Sequence, residues 1–120
     1  MSSIKYFKLS EFLYTPNDEA YYFEQLRTLS WDIVQNLEVL ASVLDKVRNA
    51  FGKPILVTSG YRCPLLNAHV HGAKNSHHLF GEAADIKPKD PRDLDTLYKI
   101  CKELKRGELI KYPTFIHFAI

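Results

Sequence analysis

The sequence predicts an α+β domain in which two amphipathic helices cover a small, mostly antiparallel sheet. Three observations predict it. From Trp31 to Phe51 the apolar residues Ile33, Leu37, Leu40, Leu44, Val47 and Phe51 recur at intervals of four and three, the period of a helix with one buried stripe. A second stripe of the same period, Leu94, Leu97, Cys101 and Leu104, follows Asp90 and Pro91. Between and after these helices lie short apolar runs at residues 55–58, 82–86 and 115–120, rich in β-branched residues or alternating in polarity, which read as strands.

A chain of 120 residues holds one modest core, so a single domain over 1–120 is expected, with residues 1–29 as a lead-in packed on it. Hydrophobic residues at 46% and charged residues at 25% are ordinary for a globular protein. The net charge of +2 gives no basic face for nucleic acid. No run approaches eighteen apolar residues, so no membrane span is expected. Residues 1–10 are polar and lack the apolar centre of a secretory leader. Cys63 and Cys101 have neither metal-binding nor redox spacing and are expected as free thiols, one in a loop and one on a helix.

In chain order, Ser10 is expected to cap a single helical turn over 10–13. Residues 17–29 read as a helix on the spacing of Ala20, Phe23 and Leu26. The long helix has Ser30 as its cap, Asp32 at its positive end and Gly52 as its stop. Pro54 opens the first strand, after which Ser59-Gly60-Tyr61 turns the chain and leaves Arg62 at the strand end, where ligand-binding loops sit. Residues 63–70 form a short helix with Pro64 in its first turn, and 71–75 are loop. The second long helix runs from Pro91 to Arg106, with Lys102, Lys105 and Arg106 at its negative end before Gly107. Residues 109–111 and 115–120 are the closing strands.

The chemistry concentrates between Ser76 and Asp85. His78 and Asp85 offer an imidazole nitrogen and a carboxylate oxygen, both good Zn²⁺ ligands, with Gly81 between them to turn the chain. Asp85 lies in an apolar strand, and a carboxylate there costs several kcal/mol unless it meets a cation or donors. An N-capping aspartate beside a surface histidine is the bland alternative. The residues Ser76, His78, Gly81, Ala83 and Asp85 fit the pattern Ser-x-His-x-x-Gly-x-Ala-x-Asp. This pattern resembles that of the zinc D-Ala-D-Ala carboxypeptidases and related cell-wall endopeptidases, and the likeness continues upstream through Ser59 to Asn67 and downstream through Tyr112 to His117.

The resemblance implies the hedgehog/D-Ala-D-Ala peptidase fold and one Zn²⁺ held by His78, Asp85 and His117. A buried structural histidine is the alternative for His117, which sits in the apolar run Phe115-Ile116-His117-Phe118. It also places Arg62 and Ser76 near substrate, the guanidinium fork suiting a terminal carboxylate. A surface ion pair and a loop cap are the corresponding structural roles. His69, His71 and His77 fall outside the ligand positions and read as surface or cleft histidines. Two positions depart from the family. Many members carry a carboxylate three residues before the last histidine and an aspartate two residues after it, whereas here those positions are Thr114 and Ala119. The general base is thus unassigned, with Glu82 and Glu108 as the remaining nearby acids.

The function implied is zinc-dependent hydrolysis of a peptide bond in a peptidoglycan stem peptide, by a monomer without nucleic-acid or membrane partners. The alternative is a weak or inactive module that binds wall peptides or a protein. Without a leader, the chain is expected to stay cytoplasmic until released, or to act on the wall by a phage-type route.

Overall fold

A computed structural model describes residues 4–15 and 19–120 of the chain. In chain order its elements are α1 (Leu9–Leu13), α2 (Tyr22–Thr28), α3 (Trp31–Phe51), β1 (Ile55–Ser59), α4 (Pro64–His69), β2 (Ala83–Pro88), α5 (Leu94–Leu104), β3 (Leu109–Lys111) and β4 (Ile116–Ala119). Turns of 3-10 helix occur at Glu19–Tyr21, His77–Phe80 and Pro91–Asp93. The architecture is α+β, as the sequence predicts.

Helix α3 begins where the Ser30 hydroxyl accepts the Ile33 N–H at 3.2 Å, and ends at Gly52, whose φ of 76° a side chain would disfavour. Its expected stripe is buried from Leu37 to Phe51 and is widened by Ala41 and Val43, while Ile33 in the first turn is only partly covered. Leu37, Leu40, Leu44 and Val47 are fully buried, and each contributes roughly 1.5–3 kcal/mol relative to exposure. Helix α5 packs against α3 and β2 through Leu94, Leu97 and Cys101. It is shorter than its sequence suggests. Asp90 accepts the Arg92 N–H, but Pro91–Asp93 is a 3-10 turn, and Lys105 is already extended, so Lys105 and Arg106 lie beyond the helix end. Cys101 is enclosed in this packing, and burial pushes its thiol up to about 12; Cys63 is likewise buried and unbridged. Among the described residues, no helix is long and apolar enough to cross a membrane.

The lead-in differs most from expectation. Of the helix read over 17–29, residues 17 and 18 lie outside the described residues; the rest forms the Glu19–Tyr21 turn and α2. Phe23 and Leu26 point outward, at 76% and 44% exposure, and the buried residue of α2 is Gln25. Its side-chain amide donates to the carbonyls of Leu13 and Tyr61 and accepts the Cys63 N–H. A polar side chain therefore takes the core position because it satisfies backbone groups that no apolar one could. Ser10 does not cap α1. The Glu11 carboxylate instead accepts the Lys8 N–H at 2.9 Å, which places Ser10 inside the helix. The polar reading of residues 1–10 falls in part on residues 1–3, outside those described.

The four strands form one sheet in the order β1-β2-β4-β3, antiparallel throughout. Its register brings residues distant in the chain face to face: Asp85 opposes His117 across β2 and β4, Ile110 opposes His117 across β3 and β4, and Ser59 opposes Asp85 after a bulge between Val57 and Ser59. Thr58, at the bulge, donates its hydroxyl to the Asp85 carbonyl at 3.3 Å.

Candidate metal centre

The sheet register brings two of the predicted ligands together. Asp85 on β2 and His117 on β4 are directly opposed, so their side chains leave the sheet on one face. His78 comes from the 3-10 turn before β2. Ser76 starts that turn by accepting the His78 N–H on its hydroxyl at 3.2 Å. Gly81 ends it with φ of 72°, in a space where a Cβ would stand 2.9 Å from the Ile33 carbonyl oxygen. The turn is thus pinned at both ends, and His78 is driven inward to 2% exposure.

The hydrogen-bonding atoms of this cluster do not balance with both rings neutral and no cation between them. Nδ1 of His78 lies 2.7 Å from the Gly60 carbonyl oxygen, which can only accept, so this nitrogen carries the hydrogen and Nε2 of the neutral ring presents a lone pair. That lone pair is 3.2 Å from Asp85 Oδ1, a second acceptor. His117 repeats the arrangement: Nδ1 lies 3.3 Å from the same Oδ1, and Nε2 lies 3.0 Å from Glu108 Oε1 without the geometry of a hydrogen bond. Both rings are therefore flanked by oxygen acceptors on either side. Either two imidazolium ions sit at 2% and 9% exposure, or a cation occupies the point where His78 Nε2, Asp85 Oδ1 and His117 Nδ1 converge. Tetrahedral zinc ligands at about 2.0–2.1 Å from the metal stand about 3.3 Å from one another, close to the 3.2 and 3.3 Å that separate Asp85 Oδ1 from the two ring nitrogens. The Gly60 contact would supply the outer hydrogen bond that fixes a ligand imidazole. The residues fit a zinc ion.

Behind the cluster, Arg62 Nη2 reaches Asp85 Oδ2 at 3.3 Å, while its Nε and Nη1 donate to Ser59 Oγ and Asn67 Oδ1. Burial pushes Asp85 toward protonation; with no cation at this point, hydrogen bonds donated by His117 and His78 as imidazolium rings, with the charges of His78 and Arg62, outweigh it and hold the carboxyl well below the usual range. Burial lowers Arg62 against the opposing pull of Asp85. Asp85 is therefore held anionic, with one oxygen turned to the histidines and the other to the guanidinium.

These groups open onto a cavity of about 590 Å³, whose wall includes Arg62, Ser76, His77, Glu108, Tyr112 and Phe115. Tyr112 and Phe115 stack at 4.7 Å between ring centres and form its apolar side. Of the other histidines, His71 and His77 line the cavity and His69 stacks near Tyr21. Of the two acids considered, Glu108 is on the cavity wall and Glu82 is not; among the described residues Glu108 and Asp85 are the cavity's carboxylates. Thr114 opens onto a separate cavity with Leu56, Lys87 and Pro113, away from the cluster, whereas Ala119, two residues beyond His117 in β4 and paired with Ala83, lies on the His117 face of the sheet, fully buried and without a carboxylate. Gln25, which sequence reasoning passed over, braces the backbone on both sides of Arg62; only the mismatch of a polar residue within an apolar helix could have flagged it.

The sequence model of the peptidase M15 family matches residues 5–119. This chain belongs to the peptidase M15 family. A curated relative, the zinc D-Ala-D-Ala carboxypeptidase of Streptomyces albus G, is 48% identical over 44 residues. That stretch covers 36% of this chain and 17% of the length of that relative. The antiparallel α+β fold of this M15 chain is compatible with that of the family.

Proposed function

We propose that this M15 chain is a zinc peptidase that hydrolyses a peptide bond in the stem peptide of peptidoglycan, with the metal held by His78, Asp85 and His117. One observation carries the reading: a single carboxylate oxygen, Asp85 Oδ1, is approached by ring nitrogens of two buried histidines whose other nitrogens already face acceptors. Family membership supports peptidase chemistry, and the specificity that names the Streptomyces relative supports a D-alanine-containing substrate. A bound zinc ion supplies Lewis acidity, lowering the pKa of water to near 7 and polarising a carbonyl.

The chain's own residues do the rest. His78 Nδ1 donates to Gly60 and so keeps its Nε2 lone pair on the cluster. Arg62 neutralises the outer oxygen of Asp85; three of its five N–H groups are engaged, leaving two for a substrate carboxylate. Glu108, half-exposed on the cavity wall and free to rotate from His117, takes the proton from the attacking water. Ser76 holds the His78 turn and edges the cavity. The stacked Tyr112 and Phe115 exclude water from one wall, and 590 Å³ accommodates the end of a peptide.

Zinc-reconstituted protein incubated with muropeptides is expected to release a D-amino acid or to split a stem, read by mass spectrometry. Intact muropeptides alongside cleavage of unrelated peptides would sink the substrate assignment. Arg62→Ala is expected to raise KM for a stem peptide with a free terminal carboxylate by tenfold or more, a truncation cost on the order of 2 kcal/mol for a desolvated charge pair. An unchanged KM accompanied only by weaker metal binding would restrict Arg62 to supporting Asp85.

A further inference from the structure

We propose that Asn67 is a positioning residue: granted that Arg62 receives the substrate carboxylate, Asn67 aims its guanidinium and ties it to the cavity loop at Gly72 and Ala73. Arg62, Gly72 and Ala73 line the cavity, whereas Asn67 stands behind that wall on α4 at 6% exposure. Its carboxamide has one workable orientation. Oδ1 accepts from Arg62 Nη1 at 3.3 Å, and Nδ2 donates to the Ala73 carbonyl at 3.0 Å. Since a guanidinium only donates and a carbonyl only accepts, a flipped amide would lose both bonds. The main chain repeats the tie, the Asn67 carbonyl accepting the Gly72 N–H at 2.8 Å. The fit is close enough to need glycine at 72, where a Cβ would stand 2.1 Å from Asn67 Oδ1 and 2.9 Å from Arg62 Nη1.

With this contact each of the three guanidinium nitrogens meets its own acceptor: Nε meets Ser59 Oγ at 3.2 Å, Nη1 meets Asn67 Oδ1 and Nη2 meets Asp85 Oδ2. Three acceptors fix a plane. The N–H groups left over, one on Nη1 and one on Nη2, then point in set directions, as two-point capture of a carboxylate requires. Of the three acceptors only Asp85 is charged, and the neutrality of Asn67 is part of the design. A carboxylate at 67 would set a second anion on the guanidinium and oppose both the Ala73 carbonyl and an arriving substrate carboxylate. An apolar side chain would release Nη1 and leave the Ala73 carbonyl without its donor.

The test uses one stem peptide in two forms, with its terminal carboxylate free or amidated, and zinc-reconstituted protein. The wild type is expected to prefer the free acid. Asn67→Ala is expected to keep the tight zinc equivalent and kcat, to raise KM for the free acid roughly three- to tenfold, and to leave KM for the amidated peptide near wild type. Asn67→Asp matches asparagine in size and keeps an acceptor toward Arg62, so a packing role would survive it. As a positioning residue it is expected to fail more severely, with KM for the free acid raised roughly tenfold or more by the added charge. In an Arg62→Ala background, Asn67→Ala is expected to add little. Equal losses on the two peptides, additive losses in the double variant, or a wild-type KM in Asn67→Asp would overturn the assignment. Should Asn67→Ala fail to fold, the Asn67→Asp comparison decides alone. A wild type indifferent to the terminal carboxylate would remove the role of Arg62 and with it that of Asn67, and one that cleaves neither form would overturn the proposed function and both roles together.

Discussion

Replacing His78 or His117 by alanine is expected to take zinc from one tightly held equivalent per chain to near zero, measured by elemental analysis of reconstituted and dialysed protein. The size of the effect comes from the ligand count. A zinc site of roughly 10–16 kcal/mol spread over its protein ligands loses on the order of 3–5 kcal/mol with each, or about 10²–10³-fold or more in affinity. His71→Ala serves as the contrast: His71 lines the same cavity but is not part of the converging set, so its loss should leave the tight equivalent in place. Retention of one tight equivalent by both His78→Ala and His117→Ala would place the metal elsewhere.

Glu108→Gln carries the second large effect. As the proton acceptor, its loss is expected to lower kcat by about 10²–10⁴-fold while the tight zinc equivalent remains, measured on stem peptides at saturating metal. The alternative role has a different signature. If Glu108 acts only by orienting His117 through Nε2, the substitution should weaken zinc binding by roughly 10- to 100-fold and leave kcat at saturating metal near wild type. Measuring both quantities on one variant decides between them. A carboxylate built at position 114, where many relatives carry theirs, is not expected to compensate, because Thr114 opens onto a different cavity.

Much of the fold was legible because its signals are local. The stripe of α3, its serine cap and its glycine stop lie within one stretch; the cap and the stop appear as read, and the stripe does so from Leu37 to Phe51. The strand runs were legible for the same reason, since β-branched residues and alternation need no partner to be seen. What could not be read is whatever depends on how distant segments meet. Nothing local to Asp85 or His117 states that they are opposed in register, and only the pairing of β2 with β4 does so. Glu82 and Glu108 looked equivalent in sequence, yet the first leads into an inner strand and the second borders the cavity. The outward faces of Phe23 and Leu26 defeated periodicity because Gln25 offers the interior something that apolar area cannot: partners for three backbone groups.

That glutamine also bears on where the chain can be cut. The turn carrying Arg62 is held from the front by His78, whose carbonyl accepts the Arg62 N–H, and from behind by the lead-in, through the Gln25 amide and the Phe12 carbonyl that accepts the Tyr61 N–H. Among the described residues, those before α3 contribute no atom to the cluster, yet they act as a splint for the loop that aims the guanidinium at Asp85. A chain trimmed to start at α3 would keep His78, Asp85, His117 and both long helices. It would nonetheless expose the Tyr61 and Cys63 backbone to solvent and let Arg62 swing away from the carboxylate it steadies.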